Sequence, residues 1–276
     1  MKPRLVPALL ITLLGLAICL APLAWMLSTS LRPFDELLKG SLSLIPSSPR
    51  PANYTDALRQ FDFLGAFGNS VFVAVLAVLG TLASSIPAAY AFARLKAWGS
   101  SWVFYGLLAT LMLPGQITIV PVFRLFASLG MVDTYAPLIL PAWLGTNAFG
   151  IFLLRQFFRT LPEETMEAAR LDGASEGAVL VRIAVPLARP AVVTVAVFSF
   201  LGSWNDLWGP LVYLHREERM TLPVALVDFV GGAATVQGTP WNLVMAAAVV
   251  TVLPAVALFA LCQKSFVAGI ANSGLK

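Results

Sequence analysis

The sequence is short of charge. Only 12% of its 276 residues are Asp, Glu, Lys or Arg, about half the ~25% of an average soluble domain. That is too little polar surface to wrap a soluble globule of this length, which excludes the ordinary cytosolic enzyme. Lysine is scarcer still, at Lys2, Lys39, Lys96, Lys264 and Lys276, and none stands in the GxxxxGK[ST] arrangement that cradles phosphates. The chain carries no P-loop of its own. One histidine, His215, and two cysteines, Cys19 and Cys262, cannot supply a His/Cys metal cluster. Both cysteines lie in apolar runs far apart in sequence, the setting of small buried hydrophobes rather than of a disulfide. A Ser-His-Asp hydrolase would depend on His215, which sits in a charged HREER loop with no nucleophile motif beside it. The net charge of +4 is modest and dispersed, which fits anchoring at a cytoplasmic membrane face rather than nucleic-acid binding.

What the chain has in quantity is apolar length. Hydrophobic residues make up 58% of it, and the mean hydropathy is +0.83, which excludes disorder. At roughly 20 apolar residues per span, the length allows about six spans with short loops. Six stretches qualify: about 6–27, 68–92, 102–120, 136–154, 186–207 and 241–261. The expected fold is therefore an all-α polytopic membrane protein. Residues 1–67 form an anchor span and an outer loop of about forty residues; residues 68–264 form a core of five spans, and 265–276 a tail. Lys2 and Arg4 resemble the start of a signal peptide, but the apolar run that follows is too long for one, so it reads as a retained anchor.

Orientation follows from Lys and Arg. With the N-terminus inside, the inner segments hold Lys2, Arg4, Arg94, Lys96, Arg155, Arg159, Arg170, Arg182, Arg189, Lys264 and Lys276; the longer outer segments hold the other seven. The positive-inside rule then puts both termini in the cytoplasm. Trp25, Trp98, Trp102, Trp204, Trp208 and Trp241 fall near span ends, where an aromatic belt or ordinary packing would place them. Pro87, Pro114, Pro121, Pro141 and Pro254 lie inside the predicted spans as candidate breaks.

Charge concentrates in one place. Residues Arg155 to Arg189 carry ten of the 32 charged side chains, five basic and five acidic. Within this segment Thr160 and Glu163 have capping-box spacing, Pro162 suits a first turn, and Glu163 and Glu164 meet the positive end of a helix dipole. Asp172-Gly173 offers a left-handed terminator, so a helix of about ten residues is expected. Ala168 and Ala169 make one face shallow and Glu167 and Arg170 set charges beside it. The result is a cytoplasmic knob suited to a partner's groove; the competing picture is an amphipathic helix lying on lipid.

Glu167-Ala168-Ala169, three residues, Gly173, nine residues, Ile183, one residue and the Val185-Pro186 pair resemble the EAA loop of permease subunits of ATP-driven, binding-protein-dependent importers. The family usually has leucine where Val185 stands. The resemblance narrows to the maltose-type, carbohydrate-uptake branch through AAYAFARL (88–95), LPGQITIVPVF (113–123), LGMVDTYAPLILP (129–141), GIFLLRQFF (150–158), FLGSWNDLWGPL (200–211), TLPVAL (221–226) and the C-terminal QKSFVAGIANSGLK. The short N-terminal part resembles the smaller of that branch's two permeases. The resemblance implies a type I importer permease fold with a coupling helix between spans four and five, in residues 160–186. It implies a non-catalytic subunit of the inner or plasma membrane. Its partners would be a second permease subunit, two ATP-binding-cassette subunits that use ATP and Mg, an extracytoplasmic solute-binding protein, and membrane lipid. This chain would bind no cofactor.

On that resemblance, Glu163, Glu167, Ala168, Ala169, Arg170, Asp172 and Gly173 are expected to seat the ATPase subunit, with Glu167 and Arg170 as polar contacts and Gly173 as the turn. Ile183 and Pro186 would brace the following helix. Polar residues in or at the ends of spans, Asn69, Tyr90, Gln116, Asn147, Asn205 and Asp206, are candidates for the translocation path. Asp206 in WNDLW pairs a carboxylate with aromatic faces as a sugar site would, or else it satisfies backbone donors at a helix end. The loop from about 211 to 240, glycine-bearing and flexible by composition, is either a binding-protein contact or a plain connector. Two other readings stay open. The importer could carry a polyamine, amino acid or anion; or the chain could be a self-contained transporter or intramembrane enzyme, against which stands the near absence of ionisable residues within spans.

Overall fold

The computed structural model describes residues 5–40, 43–95, 97–232 and 238–273, without the side chains of residues 5, 6, 8, 116 and 264–273. Lys2, Arg4, Lys96 and Lys276, used above for orientation, and residues 233–237 of GGAATVQG lie outside the described residues. Among the described residues the regular structure is helical, as the composition predicts. The helices are α1 (Leu5–Ser30), α2 (Phe34–Leu38), α3 (Ala52–Arg59), α4 (Phe63–Arg94), α5 (Ser100–Thr110), α6 (Gly115–Ser128), α7 (Ala136–Trp143), α8 (Ala148–Thr160) and α9 (Glu163–Leu171). They continue as α10 (Glu176–Val179), a π-helical turn (Leu180–Ala184), α11 (Val185–Leu187), α12 (Arg189–Trp204), α13 (Trp208–Tyr213), α14 (Leu222–Gly232) and α15 (Trp241–Ser273).

Four helical stretches are long and apolar enough to cross a membrane: 9–30, 63–94, 136–160 and 241–263. A fifth arises if the 83° bend between Glu176–Leu187 and Arg189–Trp204 lies within one span. Among the described residues, length and composition thus give four or five of the six expected spans. The stretch 102–120 is broken into α5 and α6 because Pro114 lacks an amide hydrogen and stands extended (φ −61°, ψ 127°) before α6. The stretch 136–154 is interrupted after Trp143, where Gly145 turns with φ +75°. The stretch 186–207 begins later than expected, at Arg189, since the chain bends at Ala188. By contrast Pro87, Pro121, Pro141 and Pro254 sit inside continuing helices.

The chain divides into two compact units. The first comprises residues 1–64 and 224–254. Its core is Ala57, Ala246 and Ala247 under Tyr54, Phe61, Leu226 and Leu243. Asn53, almost fully buried, donates to the carbonyls of Ser30 (2.9 Å) and Arg32 (2.8 Å), so one amide closes the turn after α1.

The second unit comprises residues 65–223 and 255–276. Its core cluster joins Ala89 and Tyr90 of α4 to Ile151, Leu154 and Phe158 of α8, Met166 of α9, Val179 of α10 and Ala191 and Val195 of α12. Close approach needs glycine at position 80: a Cβ there would lie 2.3 Å from the Trp143 ring, whose indole N–H donates to the Leu76 carbonyl (3.1 Å). Trp204 corrects the aromatic-belt expectation. It is buried, stacked on Phe200 at 5.5 Å and edge-on to Phe67 at 5.6 Å, whereas Trp25, Trp98, Trp102, Trp208 and Trp241 are exposed.

Candidate functional site

The charged loop forms the predicted helix, but its start is built differently. Thr160 belongs to α8 and its hydroxyl donates back to the Phe157 carbonyl (2.8 Å), so it makes no capping box. Pro162 occupies the N-cap position, and the carboxylate of Glu163 turns to arginines instead. The end of α9 is as expected. Gly173 stands at φ +85°, its N–H reaches Arg170 O (3.0 Å), and the N–H of Ala174 reaches Ala169 O (2.9 Å). These two bonds are the Schellman pattern, which requires a residue free of Cβ strain at that φ.

α9 has one inner and one outer face. Met166, with no exposed surface, is driven into the cluster of Leu154, Phe158 and Val179. Glu167 and Ala168 are exposed and Ala169 is half-buried, while Leu171 keeps 89% of its surface exposed. A large aliphatic side chain presented beside two shallow alanines and a carboxylate is the form of a docking surface. Asp172 is the exposed C-cap. Ile183, in the π turn, packs against the same core cluster, and Pro186 is exposed in the one-turn α11.

The structure turns Arg170 inward rather than outward. Its Nε donates to Glu176 Oε1 at 2.8 Å and its Nη1 to Glu163 Oε1 at 3.3 Å. Tyr90 also joins this group, its hydroxyl donating to Glu176 Oε2 at 2.8 Å while its ring lies edge-on to Phe158 at 5.8 Å. Arg94 pairs with Glu163 and donates to the carbonyls of Phe158 (2.6 Å) and Leu161 (2.5 Å). Sequence reasoning missed Arg94, Glu176 and Met166 as site residues. The signal for Arg94 was present, since it stands four residues after Tyr90 and so on the same helix face.

The remaining path candidates are scattered. Asn69 donates to the carbonyls of Glu218 and Met220 (2.9 Å each) and so ties down the 211–240 loop. Asn205 folds back to Leu201 O (2.9 Å) and is exposed. Gln116 lies in α6, and its side chain is outside the described residues. Asn147 caps α8 by accepting from Gly150 N–H (2.7 Å), and Asp206 accepts from Gly209 N–H (3.1 Å) at the start of α13. Asp206 therefore does satisfy a helix end, yet it also faces a space.

Asn147 and Asp206 share a cavity of about 280 Å³ with Thr81, Phe198, Ser199 and Ser203. Val73, Ala77 and Thr81 of α4 form one wall of it, and Ser199 donates to Thr81 across the helices at 3.0 Å. A second space of about 230 Å³ also borders Asp206, beside Gly115, Ile119 and Trp208. The described residues that line the first cavity offer hydroxyls, one amide, one carboxylate and an aromatic ring, and none of them is cationic.

The loop from about 211 to 240 is more ordered than its composition suggested. α13, a 3₁₀ turn at Glu217–Arg219 and α14 occupy most of it. Asp133, the non-glycine described residue with positive φ (58°), clamps it. Its carboxylate accepts from the N–H groups of His215 (3.1 Å) and Arg216 (3.2 Å) and pairs with Arg216 Nε (2.8 Å); its carbonyl accepts from Arg219. The N–H donors, His215 first, hold this carboxyl below the usual carboxylate range, with the arginines adding to the effect.

Residues 80–272, more than half of the chain, match the family described as binding-protein-dependent transport system inner membrane component. The chain belongs to this family. As a member it is a multi-pass membrane permease subunit, and the charged loop with α9 and both cavities fall largely within the matched region. Over 262 residues it is 34% identical to the arabinooligosaccharides transport system permease protein AraQ of Halalkalibacterium halodurans, covering 94% of this chain and 92% of that one. It is 31% identical over 274 residues to the sn-glycerol-3-phosphate transport system permease protein UgpE of Agrobacterium fabrum, covering 96% and 95%. A solved bacterial ABC transporter involved in the import of the acidic polysaccharide alginate has a chain of the same fold, with a TM-score of 0.82 and 25% identity over 95% of this chain and 97% of that one.

Proposed function

We propose that this chain forms half of the translocation path for a sugar or oligosaccharide in the inner or plasma membrane, with both termini cytoplasmic. A second permease subunit completes the path, an extracytoplasmic binding protein delivers the solute, and two ATPase subunits supply the energy using ATP and Mg. The observation that carries the reading is α9. It is a short helix anchored by one buried methionine, ended by a left-handed glycine, and presenting Glu167, Ala168 and Leu171 outward. Such a rigid knob between two membrane helices can convert closure of cytoplasmic subunits into movement of the path.

The family relatives differ in cargo, and the cavity argues for a neutral one. Hydroxyls of Thr81, Ser199 and Ser203 with the carboxylate of Asp206 match the donors and acceptors of a polyol, and Phe198 offers a ring face for sugar C–H groups. A phosphate or other anion would meet Asp206 without a compensating cation among the lining residues.

The test is the purified complex with its partners in liposomes. ATP hydrolysis should rise when the binding protein presents a neutral oligosaccharide, and rise less with sn-glycerol 3-phosphate. Gly173→Glu is the companion test, because φ +85° costs about 1–2 kcal/mol for a residue with a Cβ. The variant should insert normally and fail to retain the ATPase; normal ATP-driven uptake by it would refute the assignment of α9.

A further inference from the structure

We infer that Tyr90, Arg94, Glu163, Arg170 and Glu176 form a closed polar ring that makes α9 and α4 move as one lever, with Tyr90 and Arg94 as positioning residues for coupling. The inference rests on the reading of α9 as the ATPase-docking helix. Tracing the ring, Tyr90 of α4 donates to Glu176 (2.8 Å), and Glu176 accepts from Arg170 (2.8 Å). Arg170 reaches Glu163 (3.3 Å), and Glu163 returns to Arg94 of α4. α9 is thus gripped at its first residue and in its last turn, and both grips end on one helix.

A set of exposed ion pairs alone would transmit little force, since water screens each of them and leaves it little net stabilisation. This ring is different at its α4 end. Tyr90 is 3% exposed, and the Arg94 side chain is 9% exposed with two further carbonyl partners at the α8–α9 corner. Between the two grips along α9, Met166 has no exposed surface and belongs to the apolar core cluster. The outward face of α9 takes no part in the ring, which leaves Glu167, Ala168 and Leu171 available to a partner.

α4 supplies the other end of the lever. Thr81, which lines the cavity, precedes Tyr90 by nine residues, about 14 Å along a helix rising ~1.5 Å per residue. Ala77 and Val73 continue the same wall. A displacement of α9 that keeps the ring intact is therefore carried to the α4 wall of the cavity, because α4 runs as one unbroken helix from Phe63 to Arg94, through Pro87. The ring gives Arg170 a role inside the subunit, distinct from contact with the ATPase.

The experiment uses the complete transporter in liposomes with ATP and Mg, and needs no cargo. Leu79 on α4 is half exposed, so Leu79→Cys in a Cys19→Ser, Cys262→Ser background accepts a bimane whose emission reports movement of α4. Tyr90→Phe keeps the ring packed on Phe158 and removes only the bond to Glu176. Expected is an ATP-dependent emission change in the unmodified chain that falls about tenfold in Tyr90→Phe and in Arg94→Gln, the scale of losing a hydrogen bond to a charged group. The ATPase should still co-purify with both. Glu176→Gln, which keeps an acceptor for Tyr90, should retain more of the change than Glu176→Ala.

A full emission change in Tyr90→Phe and Arg94→Gln would overturn the inference. So would loss of the ATPase from both, since the ring would then serve docking rather than transmission. Retention of the ATPase by Gly173→Glu would instead fail the underlying reading of α9, whatever the ring variants do.

Discussion

Replacing Met166 by alanine isolates the force that holds α9 against the rest of its unit. Met166 is the buried residue of α9, has no exposed surface, and packs in the cluster with Leu154, Phe158 and Val179. Truncating a buried methionine costs about 2–5 kcal/mol through lost transfer energy and a residual cavity. The lower end applies here, because the site adjoins an exposed helix that can settle into the space. A nine-residue helix cannot persist alone, being shorter than the ~12–15 residues that are marginal in water. Local opening of α9 should therefore become easier by at least about 2 kcal/mol, equivalent to roughly 30-fold faster hydrogen exchange for its amides. Hydrogen exchange with mass spectrometry on detergent-solubilised protein measures this directly, with the amides of α4 as the internal reference. Met166→Leu, close in volume, should cost less than ~1.5 kcal/mol and leave the exchange of α9 near normal. If α9 in Met166→Ala exchanges at the unmodified rate, apolar anchoring is not what seats it, and the polar ring alone must suffice.

Two further perturbations probe the second unit. Gly80→Ala places a methyl 2.3 Å from the Trp143 ring, so the indole must swing away and lose its bond to Leu76; thermal unfolding in detergent should show a loss of about 1–3 kcal/mol, typical of overpacking. Asp133→Ala removes the clamp on the 211–240 loop, and hydrogen exchange across 213–219 should accelerate while α9 is unaffected. The clamp should also depend on pH in a defined sense. Because the folded-state pKa of Asp133 lies below its ordinary value of about 3.9, its contribution is fully present above that value. It fades as the pH falls through the depressed folded value, which exchange across 213–219 should show after correction for intrinsic rates.

The sequence alone established the solvent in which this protein lives and the position of the helix in its most charged segment. Apolar runs of membrane-spanning length stand out because lipid leaves backbone groups no partner but each other. The boundaries of α9 were legible because a helix start rich in acids and a glycine terminator are local devices, fixed by residues within a few positions. Local rules failed where the decisive partner was distant. Thr160 had the spacing of a cap, but α8 claimed its hydroxyl while Arg94, 69 residues before Glu163, claimed the carboxylate. Five prolines looked alike in sequence; Pro114 follows a helix end and marks a break, while Pro87, Pro121, Pro141 and Pro254 continue helices that the surrounding segments support.

Polar residues scattered from 69 to 206 gave no hint of which share a space. Tertiary structure sorted them: Asn147 and Asp206 meet Thr81 and Ser199 at a cavity, Tyr90 goes to the polar group around Glu176, and Asn69 goes to the 211–240 loop. The physical reason is the same in each case. Hydrogen-bond capacity belongs to a residue type and can be read from the chain, but the partner that uses it is set by how helices far apart in sequence come to lie side by side.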